Sequence, residues 1–178
     1  MKRIIAICLC LVACFALTSC NKDDITVPAG MQLASNTEVP DYTLFVPDGW
    51  TVEISTGTTA AYLKDQVNNL LATFTASFNV PANEGITLEN YFESYKTEFS
   101  EVFGEPKDFW EETTILAGFN AKQYTYTATF GGTEYKFWQV VCFRDGRIYT
   151  LTYSSTTEHF EQYAEDMQLI LDNFTFKK

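Results

Sequence analysis

Two tight turns, each flanked by alternating apolar and polar residues, constrain this chain most. Gly131-Gly132 and Asp145-Gly146 are residue pairs that suit the positive φ angles of two-residue hairpin turns. The segments on either side are rich in tyrosine, phenylalanine, valine and threonine, which favour strands. The sequence therefore predicts three successive antiparallel strands: Phe119–Phe130, Thr133–Arg144 and Arg147–Ser154.

Two-residue turns also predict which residues pair, and therefore the face on which each side chain lies. Phe130 would pair with Thr133, and Arg144 with Arg147. One face then carries Tyr124, Tyr126, Ala128, Tyr135, Phe137, Gln139, Val141, Phe143, Ile148, Thr150 and Thr152. The other face carries Gln123, Thr125, Thr127, Lys136, Trp138, Val140, Cys142, Tyr149, Leu151 and Tyr153. A one-residue slip in either turn would exchange the two faces.

Neither face of this meander is purely polar, which predicts that both are covered. A sheet with one face in water alternates more cleanly between apolar and polar residues. We therefore expect an α+β domain in which an antiparallel β-sheet is sandwiched by helices on both faces. The alternation alone does not determine which face is more exposed.

The rest of the chain supplies further strands and two amphipathic helices. Strands are predicted at Tyr42–Val46, Trp50–Ile54, Ala60–Leu63, Leu70–Val80 and Phe109–Leu116, with a last short one at Phe174–Phe176. The first helix would begin at a Thr87 N-cap and end at Gly104. The second would follow the cap cluster Ser155-Thr156-Thr157 and bury a stripe from Phe160 to Phe174.

Composition predicts a folded core, and charge argues against two classes of partner. The 178 residues are 46% hydrophobic and 16% aromatic, enough to bury a core. The formal net charge of −11 argues against nucleic acid and against electrostatic docking on anionic lipid, since both depend on clustered Lys and Arg.

The first twenty residues resemble a bacterial lipoprotein signal peptide. Lys2 and Arg3 precede an uncharged apolar run, which is followed by the lipobox-like tetrad Leu17-Thr18-Ser19-Cys20. The resemblance implies that a signal peptidase recognises Leu17, Thr18, Ser19 and Cys20, that the Cys20 thiol receives a diacylglyceryl group, and that the chain is cut just before it. The alternative is an ordinary secreted protein that is cut nearby.

The expected organisation follows from this segment. Residues 1–19 form the signal peptide, residues 20–40 the lipidated cysteine and a tether, and residues 41–178 the domain. The later part of the tether, Met31 to Ala34, is able to dock on the domain. The expected location is the bacterial cell membrane, where a lipid anchor at Cys20 holds the domain outside the cytoplasm.

The order of motifs in the domain resembles the PsbP-like fold and the related DcrB-like bacterial lipoproteins. Val46-Pro47-Asp48-Gly49-Trp50 follows a short strand, Ala117-Gly118-Phe119-Asn120-Ala121 leads into the meander, and Phe160-x-x-Tyr163-x-x-Asp166 opens the closing helix. The resemblance covers roughly Asp41 to Lys178. It implies an antiparallel sheet between helices, and binding or assembly without catalysis.

The functions known for that fold differ between its members. The plant and cyanobacterial proteins are accessory subunits of photosystem II, and a eukaryotic relative binds the Ran GTPase. No photosynthetic role carries over, because no residue here matches a specific contact of those proteins, and a shared fold does not fix function.

No catalytic residue, metal site or cofactor is predicted. Cys142 lies mid-strand, as a small buried apolar residue would, and nothing places His159, the only histidine, beside it as a base. Calcium is considered for an acidic extracellular domain, but the oxygen-rich sites lack the calcium-loop pattern. Those sites are Asp23-Asp24, Glu111-Glu112 and Asp145.

Three tryptophans form the one candidate ligand face. Trp50, Trp110 and Trp138, together with many tyrosines, are able to line a groove, although aromatic residues at period two more often belong to a core.

The sequence favours a non-catalytic binding or accessory subunit of a membrane-associated assembly, which would have an envelope protein partner. The alternative is a small-ligand module for a sugar, peptide or lipid with an aromatic groove. A hydrolase is the weakest hypothesis, because no Gly-x-Ser-x-Gly elbow is present.

Overall fold

A seven-stranded antiparallel sheet forms the centre of the fold in the computed structural model, which describes residues 25–35, 41–55, 57–81, 83 and 85–177. The strands are β1 (Met31–Leu33), β2 (Tyr42–Thr43), β3 (Phe45–Pro47), β4 (Thr51–Ser55), β5 (Thr58–Lys64), β6 (Leu70–Asn79), β7 (Lys107–Leu116), β8 (Phe119–Phe130), β9 (Thr133–Arg144), β10 (Arg147–Thr156) and β11 (Thr175–Phe176). The helices are α1 (Tyr91–Phe103) and α2 (Phe160–Asn173). The sheet order is β4-β5-β6-β10-β9-β8-β7, so β4 and β7 are its edges.

The register of the meander is the one that the two turns predict. Phe130 pairs with Thr133, and Arg144 pairs with Arg147. The two side-chain sets consequently face opposite cores: Tyr124, Tyr126 and Phe137 lie under α1, whereas Val140, Cys142 and Tyr149 lie under α2. The α+β fold with helices on both faces is confirmed.

The larger core lies between α2 and the sheet. The buried stripe of α2 consists of Phe160, Met167 and Ile170, and the helix contacts β3, β6 and β10. Two side-chain hydrogen bonds fix it in place: Tyr153 Oη donates to the Phe160 carbonyl (2.7 Å), and Trp50 Nε1 donates to Asp166 Oδ2 (2.8 Å).

Two small strand pairs complete the α2 side. β1 pairs with β3, so the Met31 to Ala34 segment docks on the domain, an arrangement the sequence left open. β2 pairs with β11. The predicted strand Tyr42–Val46 is therefore two strands, interrupted at Leu44, whose N–H donates to Ser35 Oγ and whose carbonyl accepts from Ala34 N–H.

An ionic cluster holds β2 and β11 against the sheet. Tyr149 Oη donates to Asp41 Oδ2 (2.5 Å), and Arg144 and Arg147 approach the same carboxylate at 3.8 and 3.6 Å. Burial of the phenol, reinforced by that hydrogen bond, raises the pKa of Tyr149 to about 12. Arg144 also lies over the Phe176 ring, which adds a cation–π contact to β11.

Both predicted helix caps are wrong. The first helix begins at Tyr91 rather than after Thr87, because Asn90 Oδ1 accepts the Thr87 N–H (2.8 Å) and organises the preceding loop instead. The predicted cap cluster continues β10 as far as Thr156, because Ser155 Oγ is held by the Leu71 carbonyl (2.6 Å). His159 takes the N-cap position of α2.

The predicted signal peptide and lipobox, including Cys20, lie outside the described residues. Within the described ranges, no helix is both long enough and apolar enough to cross a membrane.

The buried hydroxyl of Tyr153 provides a test of the α2 packing. Tyr153→Phe leaves the buried Phe160 carbonyl without this donor, so we expect the free energy of unfolding to fall by about 1–2 kcal/mol. Tyr163→Phe is the matched control, since the Tyr163 hydroxyl only accepts a bond from Gln162 at the surface, and it should change stability little. Urea denaturation measures both, and equal losses in the two variants would contradict the assignment.

Candidate ligand groove

Helix α1 covers only half of its side of the sheet. Its apolar residues pack on β8 and β9, with ring centroids 5.2 Å apart for Phe92 and Tyr124 and 5.9 Å apart for Phe99 and Phe137. Among the described residues, no helix packs on the same face of β4, β5 and β6, and α1 reaches β10 only near its start, at Ile148 and Thr150. We call this uncovered surface the open half-sheet.

The alternation of β6 explains why the open half-sheet stays uncovered. Ala72, Phe74 and Ala76 point into the α2-side core. The intervening residues Thr73, Thr75 and Ser77 point to the α1 side, where they pair across to Ser154, Thr152 and Thr150 of β10. A face built of hydroxyl residues offers a helix little apolar area to bury.

These hydroxyls form the floor of a groove beside α1. Thr73 Oγ1 and Ser154 Oγ lie 2.6 Å apart, and Gln139 Nε2 donates to Thr152 Oγ1 (3.2 Å). The Tyr91 hydroxyl lies 3.3 Å from Thr150 Oγ1 and joins the floor to the helix. The floor is therefore uncharged but able to donate and accept hydrogen bonds along its length.

A row of aromatic side chains on α1 forms the wall. Tyr91, Tyr95, Phe99 and Phe103 recur every four residues, so they lie on one face of the helix. The rings contact one another in pairs, with centroids 5.0 Å apart for Tyr91 and Tyr95 and 4.9 Å apart for Phe99 and Phe103.

Two cavities mark the ends of the groove, and both touch α1 and β6. The apolar cavity, about 260 Å³, lies at the C-terminal end of α1 and is lined by Leu70, Leu71, Phe103, Phe130, Phe137 and Ser154, among others. The polar cavity, about 340 Å³, lies toward the N-terminal end of α1 and is lined by Asn79, Tyr91, Tyr95, Lys96, Glu98 and Gln139, among others. The groove therefore changes from apolar to hydrogen-bonding along its length.

The electrostatics of the groove favour a neutral occupant. Burial raises the pKa of Tyr91, so this hydroxyl stays protonated. Lys96 and Glu98 both line the polar cavity and together add no net formal charge to it, and Lys96 also lies 3.6 Å from Glu105. On the open half-sheet, the Glu53 carboxylate accepts a hydrogen bond from the Tyr62 hydroxyl (2.7 Å).

The structure does not bring the three predicted tryptophans together, and it places them away from this groove. Trp50 is 4% exposed in the α2-side core and directly precedes β4, whereas Trp110 is 51% exposed on β7, the opposite edge of the sheet. Trp138 packs against the α2-side core and shares a face with Trp110, because both pair with Thr125. All three lie on the α2 side of the sheet.

Cys142 and His159 lie at opposite ends of the sheet. Cys142 pairs with Tyr149 near the β9–β10 turn, and burial raises the pKa of its thiol to about 11. His159 follows the other end of β10, about seven residues or roughly 23 Å along the strand, where its Nδ1 lies 3.0 Å from Thr156 Oγ1.

The acidic residues considered for calcium are paired with other groups. Glu111 contacts Lys122 (2.7 Å), Glu112 accepts from Gln123 (3.0 Å), and Asp145 contacts Arg144 (3.2 Å). Among the residues that the structure describes, no group of three or more His, Cys, Asp or Glu side chains is placed to hold a metal ion. Asp23-Asp24 lies outside them.

Comparison with solved structures shows a PsbP-like fold. Cyanobacterial PsbP (CyanoP) from Synechocystis sp. PCC 6803 superposes with a TM-score of 0.60 at 15% identity, over 90% of this chain and 98% of that one. LpqN, involved in cell envelope biogenesis of Mycobacterium tuberculosis, gives a TM-score of 0.55 at 16% identity, over 83% and 92%. The Ran-binding protein Mog1p of Saccharomyces cerevisiae gives 0.52 at 9% identity, over 76% and 90%.

These likenesses show the fold alone, because every identity is low. No family model matches the chain, and no curated protein sequence matches it. The PsbP-like resemblance in the motif order is thus confirmed for the fold.

The residues of the groove form recognisable patterns in the sequence, but the three tryptophans were chosen as the candidate ligand face instead. The sequence contains all three parts of the groove. They are the hydroxyl residues Thr73, Thr75 and Ser77 of β6, the hydroxyl residues of β10, and the aromatic residues spaced four apart on α1. What the sequence does not show is that α1 lies over β8 and β9 and leaves β6 and most of β10 uncovered.

Proposed function

We propose that the protein is a lipoprotein anchored outside the cytoplasm through Cys20, and that it acts by non-catalytic binding of a small ligand in the groove beside α1. The observation that carries this proposal is the groove itself, an aromatic wall facing a floor of hydroxyls with a cavity at each end. Concave sites with apolar walls and a few placed polar groups are the usual form of ligand sites.

The chemistry of the groove selects an uncharged, hydroxyl-bearing ligand, and we propose an oligosaccharide. The faces of sugar rings are apolar and match the rings of Tyr91 and Tyr95. Sugar hydroxyls match Thr150, Thr152 and Gln139, which also donate and accept. A fixed charge on the ligand would have no dedicated partner on this floor.

Binding should appear as thermal stabilisation of the folded protein by neutral oligosaccharides. At a ligand concentration of about 100 times Kd, linkage adds about 2.7 kcal/mol of stability. For a chain of this size, that corresponds to a rise in Tm of roughly 5–10 °C. Tyr95→Ala should weaken binding at least tenfold by removing a ring from the wall, while Thr152→Val should weaken it several-fold by removing one hydroxyl.

Trp110→Ala is the matched control, because it removes an exposed aromatic ring from the other face of the sheet. It should leave oligosaccharide affinity unchanged. Loss of binding in Trp110→Ala but not in Tyr95→Ala would contradict the groove as the site. A panel of neutral linear oligosaccharides that produces no stabilisation would contradict the ligand class.

A second candidate function, an accessory subunit with an envelope protein partner, is favoured by the exposed edge strand β7. This ten-residue edge exposes Phe109, Trp110 and Ile115, whereas the opposite edge β4 has only five residues. Unpaired edges accept an added strand, although charges such as Glu111 and Glu112 restrain non-specific pairing.

Site-specific photo-cross-linking tests this second function in native membranes. A photo-reactive residue in place of Thr113 on β7 should capture one envelope protein, and the same residue in place of Glu53 on β4 should not. Mass spectrometry of the adduct should locate the cross-link in an extended segment of the partner. Equal capture from both edges, or none from β7, would count against the accessory-subunit function.

A further inference from the structure

The predicted tether joins the domain at one end of the sheet. Gly30 O accepts the Asp48 N–H (2.9 Å), and Gln32 Nε2 donates to the Trp50 carbonyl (2.7 Å). Trp50 directly precedes Thr51, which begins β4 at the end of the sheet that holds the β5–β6 hairpin and the Gly131-Gly132 turn. We call this the tether end.

Four exposed apolar side chains lie at the tether end. Val67 lies in the β5–β6 hairpin, Leu70 begins β6, Val102 lies in the last turn of α1, and Phe130 ends β8. All four are exposed. The apolar cavity of about 260 Å³ lies at the same end, since Leu70 and Phe130 help to line it.

Exposure alone does not distinguish the two ends of the domain. Val80, which follows β6 at the far end, is 73% exposed, and Val67 is 74% exposed. The length of the connection to the anchor does distinguish them. Ten residues join Cys20 to Gly30, and a fully extended chain of that length spans at most about 35 Å.

That span is about the length of the ten-residue strand β6, roughly 33 Å. If the far end met the bilayer, the connection would have to run along the whole domain with no slack. If the tether end meets the bilayer, the connection does not have to cross the length of the domain. A lipid anchor at Cys20 therefore favours the tether end as the membrane-facing end.

The contact would be apolar rather than electrostatic. Removal of Lys2 and Arg3 with the signal peptide leaves 10 basic and 23 acidic residues, which anionic lipid repels. Transfer of side chains such as Val67 and Phe130 from water to the headgroup–acyl boundary lowers the free energy, whatever the lipid charge.

We propose that the tether end docks on the lipid bilayer through Val67, Leu70, Val102 and Phe130, so that the apolar end of the groove opens beside the membrane. This inference rests on the proposed lipid anchor. It fixes the orientation of the domain: the apolar cavity faces the bilayer, and the β9–β10 turn points away from it.

Depth-dependent quenching on vesicles tests the orientation. The full-length acylated protein is reconstituted in phosphatidylcholine vesicles, with a fluorophore attached at Val67→Cys or, as the matched control, at Val80→Cys. Cys142 is buried, so it does not compete for the label in the folded protein. A spin-labelled lipid should quench the probe at position 67 severalfold more than the probe at position 80. Equal quenching, or stronger quenching at position 80, would overturn the docking.

Two further measurements separate this inference from the anchor on which it rests. The labelled proteins should float with the vesicles, and Cys20→Ala should not; failure of the unaltered protein to float would overturn both the anchor and the docking. In protein that floats, Leu70→Glu should reduce quenching at position 67 without reducing flotation. Unchanged quenching would show that the apolar contact does not hold the tether end on the bilayer.

Discussion

The two-residue turns of the meander are the constraint on which the rest of the structure depends. They fix the pairing of Phe130 with Thr133 and of Arg144 with Arg147, and hence the face of every side chain from β8 to β10. Because β8, β9 and β10 present apolar residues on both faces, although β10 turns hydroxyls toward the α1 side, the sheet requires a covering layer on each side. Helix α2 supplies one together with two small strand pairs, and α1 supplies the other. The groove exists because the second layer is narrower than the sheet.

The two helices differ in the contacts that hold them on the sheet. α2 is held by a buried hydrogen bond from Tyr153 and a partly buried one from Trp50, and the ionic cluster around Asp41 stabilises the segment that follows its C-terminus. α1 is held by aromatic packing on β8 and β9, and it reaches β10 through the hydroxyl contact between Tyr91 and Thr150 and through the core that includes Ile148. The α2 side carries the larger core, and the α1 side carries a smaller core with the candidate site beside it. A ligand that bridges α1 and the open half-sheet would therefore add contacts where the fold has few.

Much of the fold follows from the sequence, since the turn pairs and the alternation in β6 are local signals that tertiary structure did not override. The helix starts did not follow, because Asn90 and Ser155 use their side chains for loop and strand contacts that no local pattern reveals. The candidate site was harder to predict than the helix starts. The tryptophans stand out in the sequence, but Trp50 lies in the core and donates its N–H to Asp166. The position of α1 across the sheet depends on packing between aromatic residues that are distant in sequence. Strands rich in serine and threonine can be recognised as the floor of a groove only when the position of the neighbouring helix is known.

The central claim is that the groove beside α1 is where this protein binds. Amide chemical shifts of the protein, followed as a neutral oligosaccharide is added, test that claim most directly. We expect little change on α2 and the largest shifts at Thr73, Thr75, Thr152, Tyr91 and Tyr95. Shifts concentrated on α2 or around Trp110, or none across a panel of such ligands, would contradict it.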